Sequence, residues 1–258
     1  MAELIFIGTG SGKTSLKRFH SSLLFLTSNY NLLIDAGDGT SRALLSKQID
    51  INSINGILIT HLHPDHYTGL ASLLTQMKMN GRQTTLDIYI NDMLVDIIKN
   101  FILQSYLFPE RLDFFVEYHS TYDNRLFKIN KEISFLPRHN SHLESVSRLK
   151  EYRSRSFSSS SLIISIDEKN IQYTSDIGKI DDLHLFDDYN INILISEVTH
   201  VKPDVILNEF DSRDNLENII FTHIGDEDEV LIKNYIAGMT KKQKEKIILA
   251  TDGLNIRL

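Results

Sequence analysis

The sequence predicts an α/β (α+β) fold in which two β-sheets pack together beneath outer helices. Short β-branched and apolar runs recur along all 258 residues, and helical patterns alternate with them in both halves. No repeat of short fixed period and no linker interrupts this alternation. We therefore expect a single domain spanning residues 1–258.

The first half contains short apolar runs bounded by Gly, Asn and Asp, which is typical of buried strands. Strands are predicted at residues 4–7, 22–26, 32–34, 57–60 and 86–90. Helices are predicted where apolar residues recur at intervals of three and four, as on the buried face of a helix. These segments are residues 40–47, 65–79 and 93–102.

The second half continues the alternation of strands and helices. Strands are predicted at residues 114–118, 125–129, 133–136, 162–166, 171–174, 193–196, 219–222 and 247–250. Helices are predicted at 181–188 and 226–235, with a short turn near Asp214. Segment 141–161 is rich in Ser and Arg and is expected to form an exposed loop or hinge.

The composition excludes several classes of protein. The chain is 41% hydrophobic and 24% charged, which suffices for a sizeable core. Its 27 Lys and Arg against 34 Asp and Glu give a net charge of -7, which argues against a broad basic face that coats duplex nucleic acid. The absence of cysteine excludes disulfides, thiolate metal sites and a cysteine nucleophile. Any bound metal must be held by His and carboxylates.

The sequence shows no signal for a membrane. No stretch approaches the ~20 apolar residues that a spanning helix needs, and the first residues have the pattern of a strand rather than of a signal peptide. We expect a cytoplasmic protein with no membrane partner.

A glycine-rich segment, residues 8–14, follows the first strand and ends in Gly12-Lys13-Thr14. The phosphate-binding motif G-x-x-x-x-G-K-[ST] needs a glycine at position 7, where this chain has Ile7. We therefore expect a tight turn whose backbone passes close to another group. A P-loop-like nucleotide-binding protein is kept as an alternative.

The most informative segment is residues 60–69, THLHPDHYTG, which follows an apolar strand. In an extended chain His61 and His63 point to the same side, so their imidazoles converge without further folding. Asp65 and His66 follow the turn at Pro64 and approach from another direction. Four nitrogen and oxygen ligands at this spacing suit two neighbouring ions such as Zn²⁺ or Mn²⁺.

The run His61-Leu62-His63-Pro64-Asp65-His66 resembles the H-x-H-x-D-H signature of the metallo-β-lactamase superfamily. Segments 6–12, FIGTGSG, and 32–40, LLIDAGDGT, resemble its ribonuclease Z-like branch in particular. The resemblance implies a four-layer αββα sandwich with a dinuclear site at one edge of the sheets. It also implies two divalent transition-metal ions, zinc or manganese, with iron as a further option.

Further ligands are expected at the ends of later strands. Two metals at hydrolytic spacing need a shared anion, and Asp176 is similar to the family's bridging aspartate. His223 is similar to the final histidine of the family. Either His139 or His142 could complete the first metal site, and analogy with relatives favours His142. Asp35 resembles an aspartate that orients the metal-binding loop, although an Asx turn explains it equally well.

Three residues are predicted to be catalytic. Asp65 is assigned a catalytic role as well as a ligand role. Glu197 and His200 resemble a carboxylate–histidine pair that helps to protonate the leaving group. A structural ion pair of Glu197 is an equally good interpretation. The ribonuclease Z pattern supplies its histidine from a separate H-S-T motif, and the single H-S-T run of this sequence, residues 119–121, lies far from this pair along the chain.

These features favour a metal-dependent hydrolase, and the branch resemblance favours a phosphodiester. The chain lacks the Gly/Pro-rich arm that grips transfer RNA in ribonuclease Z enzymes, so a small or short nucleotide phosphodiester is the preferred substrate. A ribonuclease Z-like tRNA 3′-processing endonuclease, with RNA as partner, is the alternative. A non-catalytic metal-binding protein and a homodimer are also kept open.

Substrate binding is predicted for the segment that follows His142. Residues 144–157 contain Arg148, Lys150, Arg153 and Arg155 against two glutamates, a local balance of 4 − 2 = +2. Arginine suits bidentate contacts with phosphate, and we expect Arg148, Arg153 or Arg155 to contact the substrate. The alternative is a solvated loop with no partner. His20, His119 and His184 are assigned structural roles.

Overall fold

The computed structural model describes residues 2–152, 154–210 and 215–258. Within these ranges the strands, numbered in chain order, form two seven-stranded sheets. In spatial order, the first sheet contains β14 (Asn255–Arg257), β1 (Glu3–Gly8), β2 (Ser22–Leu26), β3 (Asn31–Ile34), β4 (Gly56–Ile59), β5 (Leu86–Asn91) and β6 (Val116–Thr121). The second contains β13 (Ile247–Leu249), β12 (Asn218–Thr222), β11 (Ile193–Glu197), β10 (Lys169–Tyr173), β9 (Ser160–Ile166), β8 (Ile133–His139) and β7 (Phe127–Lys128).

The helices lie between the strands along the chain. The α-helices are α1 (Thr40–Ser46), α2 (Pro64–Tyr67), α3 (Leu70–Met79), α4 (Val95–Gln104), α5 (Glu144–Ser147), α6 (Pro203–Phe210), α7 (Asp228–Ala237) and α8 (Lys241–Lys246). Short 3₁₀ helices occupy Ile51–Ser53, Asp92–Leu94, Pro109–Arg111, Lys150–Tyr152 and Ile180–His184. None of the helices in the described ranges is long and apolar enough to cross a lipid bilayer.

Three apolar layers hold these elements together. Alternating strand residues send one set of side chains between the two sheets, where Phe25 and Phe135 are almost fully buried. The other face of the first sheet packs on α1, α3 and α4, with Leu73 in that layer. The other face of the second sheet packs on helices that include α6, which contributes Phe210. The predicted four-layer αββα sandwich is confirmed.

The sheet directions bring several strand ends to one edge. β3, β4, β5 and β6 run parallel in the first sheet, and β10, β11, β12 and β13 run parallel in the second. β8 also runs in the direction of β10, because both pair antiparallel with β9. The carboxyl ends of parallel strands are where open α/β folds place their sites. The loops after these strands are therefore the expected position of a functional site.

The predicted helix over 65–79 is wrong as a single element. It is divided into α2 and α3 at Thr68 and Gly69. Gly69 lies against the backbone of Gly37, where an added Cβ atom would come 2.1 Å from the carbonyl oxygen. Its N–H donates to the carbonyl of Ala36 at 2.9 Å. This close contact between distant segments, absent from the local pattern, interrupts the helix.

The Ser-rich segment 141–161 is only partly the exposed loop that the sequence predicts. Ser158 to Ser161 are buried, and β9 already begins at Ser160. Hydroxyl groups can enter the interior when they bond to backbone, and Ser161 donates to the carbonyl of Thr174 at 2.6 Å. The expected polar loop therefore ends several residues earlier.

Other predicted boundaries shift where pairing decides them. β6 begins at Val116 rather than 114 because only from there does it pair with β5. β7 covers two residues, the helix expected at 181–188 is the 3₁₀ helix Ile180–His184, and that expected at 226–235 is α7. Helices α5, α6 and α8 and strand β14 were not predicted from the sequence. The turn near Asp214 lies outside the described residues.

Candidate metal centre

Two groups of side chains meet at the edge where the parallel strands end. The first group is His61, His63, His142 and Asp176, and the second is Asp65, His66, Asp176 and His223. In each group, one nitrogen or oxygen atom from every member lies within 4.8 Å of the others. The structure therefore brings all seven predicted ligands together, although they come from loops after β4, β8, β10 and β12. Their role as metal ligands stays a prediction.

Asp176 belongs to both groups through different oxygens. Its Oδ2 lies 3.7 Å from His142 Nε2 and 4.0 Å from His61 Nε2. Its Oδ1 lies 3.3 Å from both His66 Nε2 and His223 Nε2. A carboxylate placed between two sets of histidines in this way can bridge two cations.

Three of the donor atoms lack a hydrogen-bond partner within the described part of the chain. His61 Nε2, His66 Nε2 and Asp176 Oδ1 are buried and have no hydrogen-bond partner among the described residues. Buried polar atoms almost always have a partner, so three unpaired atoms at one point call for an additional group. Imidazole and carboxylate donors without thiolate suit Zn²⁺, Mn²⁺ or Fe²⁺. The residues therefore fit the two divalent ions that the sequence predicts.

Burial keeps the first group ready to bind a cation. It lowers the pKa of His61 well below its usual value, lowers the pKa of His63, and lowers the pKa of His142 to about 4. A neutral imidazole has a free lone pair, which a protonated one lacks. His63 Nδ1 and His142 Nε2 already face each other at 2.9 Å.

Carboxylates dominate the second group. Burial opposes the charged forms of His66 and His223, but Asp176 acts together with Asp35 on His66 and with Asp65 on His223, and these carboxylates raise the pKa of both histidines. Burial also opposes ionisation of Asp65, yet the hydrogen bond from His223 and the charge of His66 lower its pKa to about 2. The acidic side chains thus create a site that attracts positive charge.

Each ligand loop is held by groups outside the donor set. Asp35 is fully buried after β3 and its Oδ2 accepts from His66 Nδ1 at 2.8 Å. Asp35 also accepts from the backbone N–H of Thr60 at 2.9 Å and from its hydroxyl. Thr60 Oγ1 lies 3.2 Å from His61 Nδ1, and Thr199 Oγ1 lies 3.1 Å from His223 Nδ1. Such contacts select the tautomer and fix the ring of a ligand histidine.

The supporting role of Asp35 was predicted from the sequence, whereas those of Thr60, Tyr173 and Thr199 were not. Tyr173 is buried between the sheets and donates to Asp35 Oδ2 at 3.4 Å. Thr60 precedes His61 directly, so its position next to the motif was an available signal. Nothing local to Tyr173 or Thr199 marks either residue, because their partners are distant in sequence.

Three residues of this edge have positive backbone φ angles. They are Asp35 at 61°, Ser175 at 52° and His223 at 55°. Non-glycine residues rarely adopt this conformation, and such backbone strain concentrates at functional sites. The strain is consistent with strand ends whose side chains must turn towards a common point.

The choice between His139 and His142 is decided by the turn after β8. His139 ends the strand with an exposed side chain, whereas His142 enters the first group. Buried Asn140 directs this turn, since its side chain donates to the carbonyl of Asp176 at 3.0 Å and accepts from the N–H of His142 at 3.2 Å. The structure thus brings His142, rather than His139, to the candidate metal centre.

Glu197 and His200 lie beside the two groups. The Glu197 side chain is buried and accepts the backbone N–H groups of Thr199 and His200 at 2.6 and 2.9 Å. His200 Nδ1 lies 3.0 Å from Glu197 Oε1, and this hydrogen bond raises the pKa of His200. The His200 ring lies 4.9 Å from that of His142, centroid to centroid. His200 thus lies next to the candidate metal centre, and Glu197 sets its orientation.

The three arginines predicted to bind substrate differ in position. Arg148 forms an ion pair with Glu144 at 3.1 Å on the protein surface. Arg155 lines a cleft that also contains His63. Arg153 lies outside the described residues. Only Arg155 of the two described arginines therefore faces a cavity at the metal centre.

The glycine-rich segment 8–14 passes close to the site as a turn. A Cβ atom at Gly12 would come 3.3 Å from Asp65 Oδ2, which makes Gly12 a neighbour of the second group. Lys13 forms an exposed ion pair with Glu227. No helix follows this turn in the described chain until α1 at Thr40, so the helix N-terminus that a phosphate-binding loop requires is missing.

Two histidines assigned structural roles pair with acids elsewhere. His119 Nε2 lies 3.0 Å from Asp87 Oδ1, and these two form a third candidate ligand group with exposed Glu117. His184 lies within 3.2 Å of Glu209. His20 contributes its carbonyl to the tight contact with Gly8.

Ribonuclease Z proteins are among the curated relatives that this chain matches in sequence. A ribonuclease Z from Saccharolobus islandicus (strain L.S.2.15 / Lassen #1) is 40% identical over 86 residues, which are 33% of this chain and 30% of the relative. A ribonuclease Z from Methanococcus aeolicus is 33% identical over 127 residues, 49% of this chain and 38% of the relative. The chain thus spans about a third of the length of the curated relatives it matches.

Solved structures confirm the fold over the full chain. The short form of human tRNase Z superposes with a TM-score of 0.73 at 20% identity, covering 99% of this chain and 98% of that one. A diphosphatase of the PhnP family also gives 0.73, at 17% identity, covering 100% and 98%. The predicted membership of the metallo-β-lactamase superfamily, with a ribonuclease Z-like relationship, is confirmed.

One protein family matches the greater part of the sequence. Its description is "Anti-Pycsar protein Apyc1", and the match extends over residues 2–224. This range contains all seven residues of the two ligand groups, together with Asp35, Glu197 and His200. The chain therefore belongs to the Anti-Pycsar protein Apyc1 family.

Proposed function

We propose that this chain is a metal-dependent phosphodiesterase that hydrolyses a small or short nucleotide phosphodiester, such as a cyclic nucleotide. The observation that carries the proposal is Asp176, whose two oxygens face two separate sets of histidines. A single ion would not require this shared carboxylate. The proposed assembly is one hydrolase domain spanning residues 1–258 with two divalent ions per chain, zinc or manganese.

Each residue of the two ligand groups has a proposed role in holding the ions. His61, His63 and His142 would hold the first ion, Asp65, His66 and His223 would hold the second, and Asp176 would hold both. When bound, two such ions supply a hydroxide near neutral pH and neutralise negative charge on the phosphate. Asp35 keeps His66 Nε2 free to ligate by accepting the hydrogen of Nδ1.

His200 is the proposed proton donor for the leaving oxygen. Glu197 accepts from His200 Nδ1, so the opposite nitrogen, Nε2, can give its proton to the substrate. Glu197 itself is held by two backbone N–H groups and stays in place. Replacing His200 by Ala should lower kcat by roughly 100-fold or more, the range of general acid catalysis, while the bound metal remains at two ions.

A ribonuclease Z-like endonuclease is the second candidate, because the curated relatives carry that name. The two candidates differ in substrate, not in metal chemistry. A third candidate, a metal-binding protein without catalysis, has the same ligand groups and differs by its lack of turnover. A cytoplasmic location and a homodimer complete the proposal.

Elemental analysis beside activity assays tests the proposal. We expect two transition-metal ions per chain, hydrolysis of bis(p-nitrophenyl) phosphate and of a nucleoside cyclic phosphate, and no cleavage of precursor tRNA. Efficient cleavage of precursor tRNA alone would favour the endonuclease. Two bound ions with no turnover on any of these substrates would favour the non-catalytic protein.

A further inference from the structure

A cleft of about 390 Å³ opens beside His63 and is lined largely by the segment that follows His142. We call it the His63 cleft. Its walls include the apolar side chains of Leu62 and Leu94 and the aromatic rings of Tyr152 and Phe157. This volume and lining lie in the range of small-molecule sites, ~300–1,000 Å³ and mostly apolar. A molecule in the cleft therefore lies next to the first ligand group.

The cleft contains one buried polar group without a partner. The side chain of Ser158 is 1% exposed, and its hydroxyl has no hydrogen-bond partner among the described residues. Since buried hydroxyls are nearly always bonded, this hydroxyl calls for a partner that the described residues do not supply. Ser159 carries a similar buried, unpaired hydroxyl but does not line the cleft. Ser158 and Ser159 therefore form a matched pair, in which Ser158 is the test residue and Ser159 is the control.

The charge at the cleft suits an anion. Arg155 lines it, and within the described part of the chain its guanidinium forms no ion pair. Arg148, on the same segment, is already engaged by Glu144. A ligand with a flat apolar ring, a polar ring edge and a negative group matches the aromatic walls, the free hydroxyl and the free guanidinium together.

We propose that the His63 cleft binds the base of the nucleotide substrate, with the ring against Tyr152 and Phe157 and a polar edge on the Ser158 hydroxyl. The proposal rests on the proposed phosphodiesterase function and deepens it by assigning base recognition to this cleft. Arg155 then lies beside the phosphate, whose phosphorus–oxygen bond is hydrolysed by water at the metal centre. The side chains that line the cleft, rather than the metal ligands, then determine the affinity and specificity for the base.

The test compares two substrates that differ only in the base. One is a nucleoside 3′,5′-cyclic phosphate, and the other is methyl riboside 3′,5′-cyclic phosphate, which has the same phosphodiester without a base. The ratio of their kcat/KM values measures base recognition. In the zinc- or manganese-loaded protein we expect Tyr152→Ala to reduce this ratio about 5- to 150-fold, the range of base–aromatic stacking. Ser158→Ala should reduce it about 2- to 10-fold.

The controls remove similar groups outside the cleft. Leu149→Ala removes an exposed apolar side chain from the same segment, and Ser159→Ala removes the neighbouring buried hydroxyl. Neither should change the ratio. Equal ratios in Tyr152→Ala, Ser158→Ala and the parent would overturn the assignment of the cleft.

Failure of the proposed function gives a different result. If the metal-loaded parent hydrolyses neither substrate, the phosphodiesterase proposal is wrong, and calorimetric titration with the nucleoside cyclic phosphate then tests the cleft alone. Weaker binding in Tyr152→Ala and Ser158→Ala than in the two controls supports the assignment. The absence of binding by the parent, or equal dissociation constants in all variants, overturns it.

Discussion

Replacement of Asp35 by Asn tests how the second ligand group is oriented. Asparagine keeps the size of the side chain and tolerates the φ of 61° at this position, so the backbone need not move. It replaces one carboxylate oxygen by an NH₂ group. Because Asp35 accepts from the backbone N–H of Thr60 on Oδ1 and from His66 Nδ1 on Oδ2, the amide cannot satisfy both.

The cost follows from the two possible amide orientations. An NH₂ group facing the N–H of Thr60 leaves two buried donors opposed, which costs about 1–3 kcal/mol. An NH₂ group facing His66 Nδ1 avoids that cost but makes Nδ1 an acceptor, so the hydrogen moves to Nε2 and blocks ligation. The second ion can therefore bind only when the amide returns to the first orientation, which costs about 1–3 kcal/mol. We expect the dissociation constant of the second ion to rise about 5- to 150-fold. Loss of an outer partner of a metal ligand has a similar effect, 10–100-fold.

Competition with a chelator of known affinity measures the two dissociation constants, and elemental analysis after dialysis measures occupancy. We expect Asp35→Asn to retain the first ion and lose most of the second, with ring ¹⁵N shifts of His66 showing the changed tautomer. Asp38→Asn, an exposed change three residues later, is the control. Two ions bound with parent affinity in Asp35→Asn would refute the reasoning.

Four further predictions use independent residues. His142→Ala should weaken the first ion at least ~10-fold while His139→Ala leaves metal content intact, and equal effects would contradict the geometry. Asp176→Ala should reduce metal content below two ions per chain and abolish turnover; two ions by elemental analysis would contradict bridging. Lys13→Ala should leave nucleotide affinity unchanged in calorimetry, since Lys13 is paired on the surface, whereas lost ATP binding would support the P-loop alternative. Phe135→Ala should cost ~3–5 kcal/mol of unfolding free energy in denaturant titration, because this ring is buried between the sheets; a loss below 1 kcal/mol would contradict that packing.

The contiguous parts of the site could be predicted from the sequence. His61 and His63 alternate on one strand end, so their convergence follows from strand geometry alone. The absence of cysteine restricts the donors to imidazole and carboxylate without knowledge of the fold. Most strands were also predictable, since short apolar runs bounded by turn residues are a local property of the chain.

Other features depend on contacts between distant segments. Helices α2 and α3 are separate because Gly69 packs on Gly37, and no local propensity records that contact. Ser158 to Ser161 are polar by composition yet buried, because Ser160 and Ser161 begin β9 and pair there with β8. Local patterns therefore fail where long-range packing sets burial.

The sequence by itself determined the fold class, and it predicted the chemical type of the ligands and the first four ligand positions, because each depends on residue type and short-range periodicity. Only the tertiary structure decided which histidine after β8 joins the centre, how Asp176 divides its oxygens, and which arginine faces a cavity. The choice of His142 depends on Asn140 bonding to the backbone of Asp176, 36 residues later. Such choices are made by the packing of two sheets, whose strand ends are distant in sequence and adjacent in space.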